Sequence, residues 1–212
     1  MRALVIGATG ATGKDLVNVL LQDTHYTEVV TFVRKTTGLV HKKLVEIVTD
    51  FEKLDNVAQH IKGDVWFSCL GTTLKDAGSK EKNWHIDYEI PLKFAGIAKA
   101  NGVSTAVLLS AYSANPKSKV FYSMMKGKLE DAIKELGFSR CYIFRPGLLL
   151  RKDTDRVGER ISGKILNGLN SIGILKSFRP IETSLLAEKL AKAPVVSTSG
   201  VIVFDLNEIF KF

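Results

Sequence analysis

A tyrosine and a lysine four residues apart, Tyr122 and Lys126, are the residues whose types and spacing best suit proton transfer. This spacing places both side chains on one face of a helix. A phenol with an ordinary pKa of about 10 is a poor acid–base group at neutral pH, and a neighbouring ammonium favours its phenolate form. The pair therefore predicts a tyrosine that transfers a proton with the help of a lysine. A chance pairing on a helix is the alternative.

Serine hydroxyls precede this pair at the end of an apolar run. Ser110 follows the run directly, and Ser113 lies three residues further on. A hydroxyl beside the phenol would polarise a substrate carbonyl. We predict Ser110 as the third catalytic residue, with Ser113 as the reserve, because the sequence does not settle the register of this turn.

Three glycines spaced by two residues lie between an apolar run and an amphipathic pattern at the start of the chain. Strand, glycine turn and helix in this order are typical of a dinucleotide-binding unit. Glycine lets the backbone approach a pyrophosphate, and the helix N-terminus presents free N–H groups to it. A glycine-rich turn without a ligand is the alternative, but its position after a strand favours the nucleotide site. The predicted contacts are Gly7, Thr9, Gly10, Ala11, Thr12 and Gly13.

The second strand candidate ends in two basic residues, Arg34 and Lys35. A site selective for NAD usually has an acidic residue here, whereas a basic residue suits the 2′-phosphate of NADP. A guanidinium engages phosphate through two donors, so Arg34 is the predicted main contact and Lys35 assists. We expect a preference for NADP(H). NAD(H) and a plain surface Arg–Lys pair stay open as alternatives.

Two further strand ends carry weaker signals for the same cofactor. Asp50 and Phe51 follow the third strand candidate, where a carboxylate would accept from an adenine amine and a ring would lie near the base. Leu70, Gly71 and Thr72 end the fourth, where glycine admits a close approach and a hydroxyl would bind ribose or phosphate. Ordinary strand-ending turns are the alternative in both places.

Apolar strand-like runs alternate with helical patterns along the whole chain. Strand candidates lie at 3–6, 29–33, 44–48, 65–70, 106–109, 141–144 and 201–204, and helix candidates at 56–61, 90–100, 120–136 and 183–191. This alternation predicts an α/β fold with a doubly wound parallel sheet. Its 212 residues suit a single domain, 1–212, with a full core. We expect the least regular segment, 148–180, to cover the substrate side.

The charge of the chain is unevenly distributed. The net charge is +8, and eight Lys or Arg against three Asp or Glu lie between Arg145 and Arg179. This bias suits an anionic substrate, a phosphate group or an acidic partner, and a solvated basic face is the alternative. No recognition motif for nucleic acid accompanies the charge, so we do not expect nucleic acid as a partner.

Composition sets limits on compartment and cofactor type. No apolar run reaches the roughly 18 residues that span a bilayer, and the first residues lack the organisation of a signal peptide. We therefore expect a cytoplasmic protein without a membrane partner. Cys69 and Cys141 lie in apolar runs and are predicted to be buried thiols, not a disulfide or a metal site.

The combination of motifs resembles the short-chain dehydrogenases, with the glycine turn, Arg34, Asp50-Phe51, Ser110, Tyr122-x-x-x-Lys126 and Arg145-Pro146-Gly147 in the order of that family. Three segments resemble most the Tat-interacting-protein group of atypical members: Cys-Leu-Gly-Thr-Thr at 69–73, Tyr-Ser-Met-Met-Lys-Gly-Lys-Leu-Glu at 122–130 and Phe-Arg-Pro-Gly-Leu-Leu at 144–149. The resemblance covers essentially the whole chain, and the combination is specific although each piece alone is not.

This resemblance implies a Rossmann fold that binds NADP(H) and an oxidoreductase acting on a small carbonyl or alcohol substrate. It implies that Tyr122 is the general acid/base and also contacts the cofactor, that Lys126 holds the ribose and tunes Tyr122, and that Pro146 lies near the nicotinamide. Asp87 departs from the pattern, because it stands where extended members often carry an active-site asparagine. An aspartate there would still orient water or the lysine, but the change weakens a direct transfer of the asparagine's role. The serine register departs as well, since many members place the serine at position 111 or 112.

Two further expectations follow from the same resemblance. Some atypical relatives sense cofactor redox state and act through protein partners with little turnover, so a regulatory NADP(H)-binding protein is the rival hypothesis. Dimerisation through helices such as 83–101 and 119–137 is common in the family, and the sequence alone leaves it open.

Overall fold

A seven-stranded sheet, parallel throughout, forms the centre of the computed structural model, which describes residues 1–150, 180–196 and 198–212. Its order is β3-β2-β1-β4-β5-β6-β9, so the chain starts in the middle, winds outward to one edge and then crosses to the other side. The strands are β1 Arg2–Ile6, β2 Glu28–Val33, β3 Leu44–Val48, β4 Val65–Ser68, β5 Thr105–Leu109, β6 Arg140–Arg145 and β9 Gly200–Asp205. This confirms the predicted doubly wound parallel sheet.

Helices cover both faces of the sheet. They are α1 Ala11–Gln22, α2 Leu74–Ala77, α3 Lys80–Trp84, α4 Ile90–Ala100, α5 Phe121–Glu135, α6 Thr183–Lys192 and α7 Asn207–Lys211. A π-helical turn, His85–Glu89, joins α3 to α4, and 3₁₀ segments span Phe51–His60 and Ala193–Val195. The helix predicted at 56–61 is thus part of a longer 3₁₀ segment.

The core has two layers, one on each face of the sheet. Alternate residues of β1 divide between them: Ala3 and Val5 pack with α1 and α6, whereas Leu4 and Ile6 pack with α4 and α5. Because a parallel strand in this position is buried on both sides, β1 and β4 are apolar with almost no polar alternation. Both strands are thereby fixed where the glycine turn and the Cys69–Thr73 turn leave the sheet.

The late basic segment lies largely outside the described residues, which omit 151–179, and so does the predicted substrate cover at 148–180. Its described ends are joined, because Leu149–Leu150 (β7) pairs in parallel with Ile181–Glu182 (β8). No helix in the described part of the chain is both long and apolar enough to cross a membrane.

Both cysteines are free thiols. Burial raises the pKa of Cys69 to about 12 and that of Cys141 to about 11, so both stay protonated at neutral pH. Within the described ranges, no group of three or more His, Cys, Asp or Glu side chains is placed to hold a metal ion.

Candidate functional site

The glycine turn brings three backbone segments together without room for side chains. Gly7 has a φ of +78°, and a Cβ there would collide with the backbone of Cys69 and Leu70. A Cβ on Gly13, in the first turn of α1, would collide with the Gly7 carbonyl oxygen. Gly10 caps α1 and has no side chain to bond its first N–H groups. These N–H groups therefore remain available to an anionic ligand.

A cleft along the carboxyl edge of the sheet consists of two adjoining cavities, of about 870 and 610 Å³. The larger contains Thr9 and the ends of β2 and β3, and the smaller contains Ala11, Thr12 and the start of α5. Both are lined by the same central residues: Gly10, Cys69, Leu70, Gly71, Thr72 and Asp76. A long cleft in two halves that meet over a glycine turn has the form that a dinucleotide requires.

The larger cavity has a basic residue at the end of β2. Arg34 lines it and is exposed, and Lys35 is exposed beside it. The following turn is anchored by Glu46 on β3, whose carboxylate accepts from the Thr36 and Thr37 hydroxyls. Arg34 thus lines the cavity directly before a turn that Glu46 anchors to β3.

Asp50 and Phe51 line the same cavity. The Asp50 carboxylate also caps the 3₁₀ segment, since its Oδ1 accepts from the Glu52 N–H at 3.1 Å. This bond fixes the carboxylate at the end of β3. Its second oxygen remains available for a ligand amine.

The smaller cavity contains a buried ion pair. The Lys126 ammonium lies 3.4 Å from Asp87 Oδ2, and Asp87 Oδ1 accepts from the Thr72 N–H at 2.7 Å. Asp87 is fully buried in the π-helical turn, and Lys126 is 3% exposed. Burial raises the pKa of Asp87, while Lys126 and the Thr72 N–H act in the opposite direction. The sequence analysis left open that Asp87 orients water or the lysine, and the structure brings it to Lys126.

Tyr122 and Lys126 face the same cavity from the first turns of α5, as their spacing predicts. The ammonium lies 5.9 Å from the centroid of the phenol ring, and Tyr122 is 41% exposed. Gly127 lets the preceding loop pack on α5, because a Cβ there would collide with the backbone of Asn115 and Pro116. The loop that carries the serines is therefore fixed against the helix that carries the tyrosine.

The two candidate serines each have a partner within the protein. Ser110 is buried and lines the smaller cavity, and its hydroxyl donates to Glu130 Oε1 at 2.5 Å. Ser113 Oγ accepts from the Ser123 hydroxyl at 2.9 Å. Of the two, Ser110 is the one that lines the cavity with Tyr122 and Lys126.

Glu130 is a residue of this region that the sequence analysis missed. It is buried and accepts from Arg145 Nε at 2.9 Å and Nη2 at 2.5 Å. Arg145 also approaches Asp205 at 3.3 Å, and the Glu130 hydrogen bond raises the pKa of the guanidinium. The signal was available, because Glu130 lies four residues after Lys126 and on the same helical face.

Pro146 follows β6 directly and lies beside this network. It is buried, and its carbonyl accepts from the Tyr112 N–H at 3.1 Å, which ties the end of β6 to the serine loop. The structure thus places Pro146 next to the loop that carries Ser110.

The sequence also matches a known family over most of its length. Residues 7–164 match the model of the family described as NAD(P)H-binding. The chain belongs to this family. Protein FMP52, mitochondrial, of Candida albicans is 35% identical over 193 residues, which are 87% of this chain and 83% of that protein. Protein HTATIP2 of Rattus norvegicus is 36% identical over 170 residues, 78% of this chain and 70% of that protein. These relatives confirm the resemblance to the Tat-interacting-protein group.

Solved structures share the fold of this NAD(P)H-binding chain. MoeE5 in complex with UDP-glucuronic acid and NAD superposes with a TM-score of 0.76 over 97% of this chain and 76% of its own, at 17% identity. A short-chain dehydrogenase/reductase superfamily protein from Agrobacterium tumefaciens with bound NAD gives 0.71 over 97% and 77%, at 16% identity. The predicted Rossmann fold is confirmed.

The relatives also correct one expectation. Several are named as mitochondrial proteins, among them those of Candida albicans and Debaryomyces hansenii, so the prediction of a cytoplasmic location is wrong. The physical reason is that the missing signal-peptide pattern addresses only the secretory route. An ordinary globular composition does not distinguish one internal compartment from another.

Proposed function

We propose that this chain is an NADP(H)-dependent oxidoreductase acting on a small carbonyl or alcohol substrate. The observation that carries the proposal is that Tyr122 and the buried Lys126 line the smaller of the two cavities that form the cleft. A proton-transfer pair at one end of a dinucleotide-shaped cleft suits coupled proton and hydride transfer.

The residues present fit a bound dinucleotide. The absence of side chains at Gly7 and Gly13 lets the glycine turn pack closely against the Cys69–Leu70 backbone and α1, and the first turn of α1 would hold the pyrophosphate. Arg34, with Lys35, would hold the 2′-phosphate, and Asp50 and Phe51 the adenine. The remaining phosphate contacts proposed are Thr9, Gly10, Ala11 and Thr12. Those proposed for the central riboses and phosphates are Leu70, Gly71 and Thr72. Lys126 and Pro146 are proposed for the nicotinamide half.

NADP(H), when bound, supplies or accepts the hydride at the substrate carbon. Tyr122 holds the proton that moves to or from the substrate oxygen, and the Lys126 ammonium lies 5.9 Å from the centroid of its ring. Asp87 holds Lys126 in place through the buried ion pair. Ser110 lies in the same cavity and would orient the substrate oxygen.

The cofactor assignment is tested by comparing affinities for NADPH and NADH by calorimetry. Arg34→Ala should lower the affinity for NADPH by roughly tenfold or more, since hydrogen bonds between charged groups contribute about 1.5–3 kcal/mol. The affinity for NADH should stay nearly constant. Lys35→Ala, which removes the neighbouring charge, is the matched control and should have the smaller effect. Equal affinities of the unaltered protein for the two cofactors would sink the assignment.

One observation favours a second function, a regulatory NADP(H)-binding protein with little turnover. The single Ser110 hydrogen is donated to Glu130, so this hydroxyl does not also donate to a substrate carbonyl. A broad panel of aldehydes and ketones separates the two functions. Tight NADPH binding without NADPH consumption above background would support the regulatory protein.

A further inference from the structure

The charge beside Gly71 comes from a lysine paired with a carboxylate, and not from a lysine alone. A Cβ on Gly71 would lie 3.6 Å from Asp87 Oδ2 and 3.7 Å from Lys126 Nζ. The buried pair therefore lies next to the turn after β4, which lines both cavities. Oδ1 of Asp87 is taken by the Thr72 N–H, and Oδ2 has the ammonium as its ionic neighbour but no hydrogen-bond partner among the described residues. The carboxylate is thus fixed, and its charge opposes that of the lysine.

Because Asp87 and Lys126 are buried, solvent screens their charges only weakly. Asp87 and Lys126 are at most 3% exposed, whereas Asp76, the other acidic residue that lines the smaller cavity, is exposed. Solvent screens an exposed carboxylate strongly and a buried one weakly. The fixed charge felt at this end of the cleft is therefore mainly that of the pair, which sums to zero.

We propose that Asp87 sets how strongly this site distinguishes the oxidised from the reduced cofactor. By cancelling the charge of Lys126, it removes a bias against the oxidised form. The inference rests on the proposed function, in which this half of the cleft takes the nicotinamide. The oxidised ring carries a positive charge and the reduced ring is neutral. A lone buried ammonium would therefore disfavour the oxidised form, and the neutral pair removes that bias.

The ratio of the dissociation constants for NADP⁺ and NADPH isolates this effect. The two forms share the same phosphates, riboses and adenine, so contacts at the adenosine end cancel in the ratio. A general loss of affinity also cancels. Two unit charges separated by 7–10 Å at an effective dielectric constant of about 20 interact strongly enough to change the ratio by roughly tenfold or more.

Four proteins make the test: the unaltered chain, Asp87→Asn, Lys126→Met and the double variant. When every remaining group of the pair is ionised, their pair charges are zero, plus one, minus one and zero. We expect the ratio to rise about tenfold in Asp87→Asn, to fall by a similar factor in Lys126→Met and to return within about threefold of the unaltered value in the double variant. Calorimetric titration with each cofactor form gives the constants without any turnover.

The control is Glu81→Gln, which removes an acidic residue that lines the larger cavity. It should leave the ratio unchanged. If Asp87→Asn fails to fold, Lys126→Met and the double variant still compare charges of minus one and zero. Ratios that stay constant, or that move in one direction in all variants, would overturn the inference while cofactor binding stands. Binding of neither form to the unaltered chain would overturn the proposed function itself.

Discussion

The Ser110 hydroxyl donates to the carboxylate of Glu130, with 2.5 Å between Oγ and Oε1. Glu130 is in turn held by two nitrogens of Arg145, so a buried network joins the end of β5, the middle of α5 and the end of β6. A serine has one hydrogen to donate, and Ser110 therefore meets the cleft as a hydrogen-bond acceptor. Such a group suits a substrate hydroxyl better than a substrate carbonyl.

Replacing Glu130 should strongly destabilise the fold. Glu130→Ala leaves the half-buried Arg145 without its main partner, and breaking a buried ion pair costs about 3–5 kcal/mol. Asp131→Ala is the matched control, because Asp131 is half-exposed on the same helix and its ion-pair partner among the described residues is Lys134. It should cost less than about 1 kcal/mol. Urea unfolding followed by circular dichroism measures both, and equal losses would contradict the buried role of Glu130.

Two glycine-to-alanine changes should have opposite effects. In Gly13→Ala the new methyl group collides with the Gly7 carbonyl, so both stability and NADP(H) affinity should fall. In Gly96→Ala, within α4, the methyl group meets open space, and the fold should gain about 0.5–1 kcal/mol with cofactor affinity unchanged. Thermal unfolding and calorimetry distinguish the two. Unchanged NADP(H) affinity in Gly13→Ala would remove the glycine turn from the proposed site.

Features that depend on local sequence could be predicted. The glycine turn, the apolar strands and the Tyr122–Lys126 spacing each follow from a short window, and the parallel order follows from their alternation. The short helices α2 and α3 were missed because residues 74–84 are mostly polar, so hydrophobic periodicity is weak. Their caps carried the available signal, since the Thr73 and Ser79 side chains accept from N–H groups three residues later.

Partners that are distant in the sequence could be predicted only in part: the resemblance left open that Asp87 orients the lysine, but nothing in the sequence indicated the pairing of Glu130 with Arg145. Asp87 meets Lys126 only because the π-helical turn and α5 pack together, and Glu130 meets Arg145 only across a helix and a strand. A single sequence shows the residue types but not which of them share a buried volume. The partner of Ser110 was missed for the same reason, because burial selects Glu130 from several acidic residues of similar pattern.

The stability contributed by His85 should depend on pH. His85 lies between two glutamates, with Nδ1 2.7 Å from Glu89 and Nε2 2.6 Å from Glu52, and the hydrogen bond with Glu89, followed by that with Glu52, raises its pKa. A raised pKa in the folded state gives stability that is complete below the unfolded value of about 6.5 and is lost as the pH rises through the folded value.

His85→Gln should therefore unfold at a lower temperature than the unaltered chain at pH 6, and the difference should shrink towards pH 9. The expected shift at pH 6 is about 2–4 °C, because partly exposed ion pairs contribute at most about 1 kcal/mol. His60→Gln, at the end of the 3₁₀ segment, is the control, because His60 contacts Gln59 and has no carboxylate partner within the described residues. A His85→Gln difference that grows with pH would contradict the ion pairs of His85 with Glu52 and Glu89.

Removing one oxygen from Tyr122 should separate catalysis from binding. Tyr122→Phe keeps the ring beside Lys126 and deletes the group that moves the proton, so turnover of any carbonyl that the unaltered chain reduces should fall by about 10²–10⁴-fold. NADPH affinity should change by less than about threefold, since the phenol oxygen is proposed to face the substrate. Tyr88→Phe is the matched control, because Tyr88 packs against Trp84 at a ring distance of 4.4 Å and should retain activity. Full activity in Tyr122→Phe would exclude Tyr122 as the acid–base group, and a parallel loss of NADPH affinity would make it a binding residue instead.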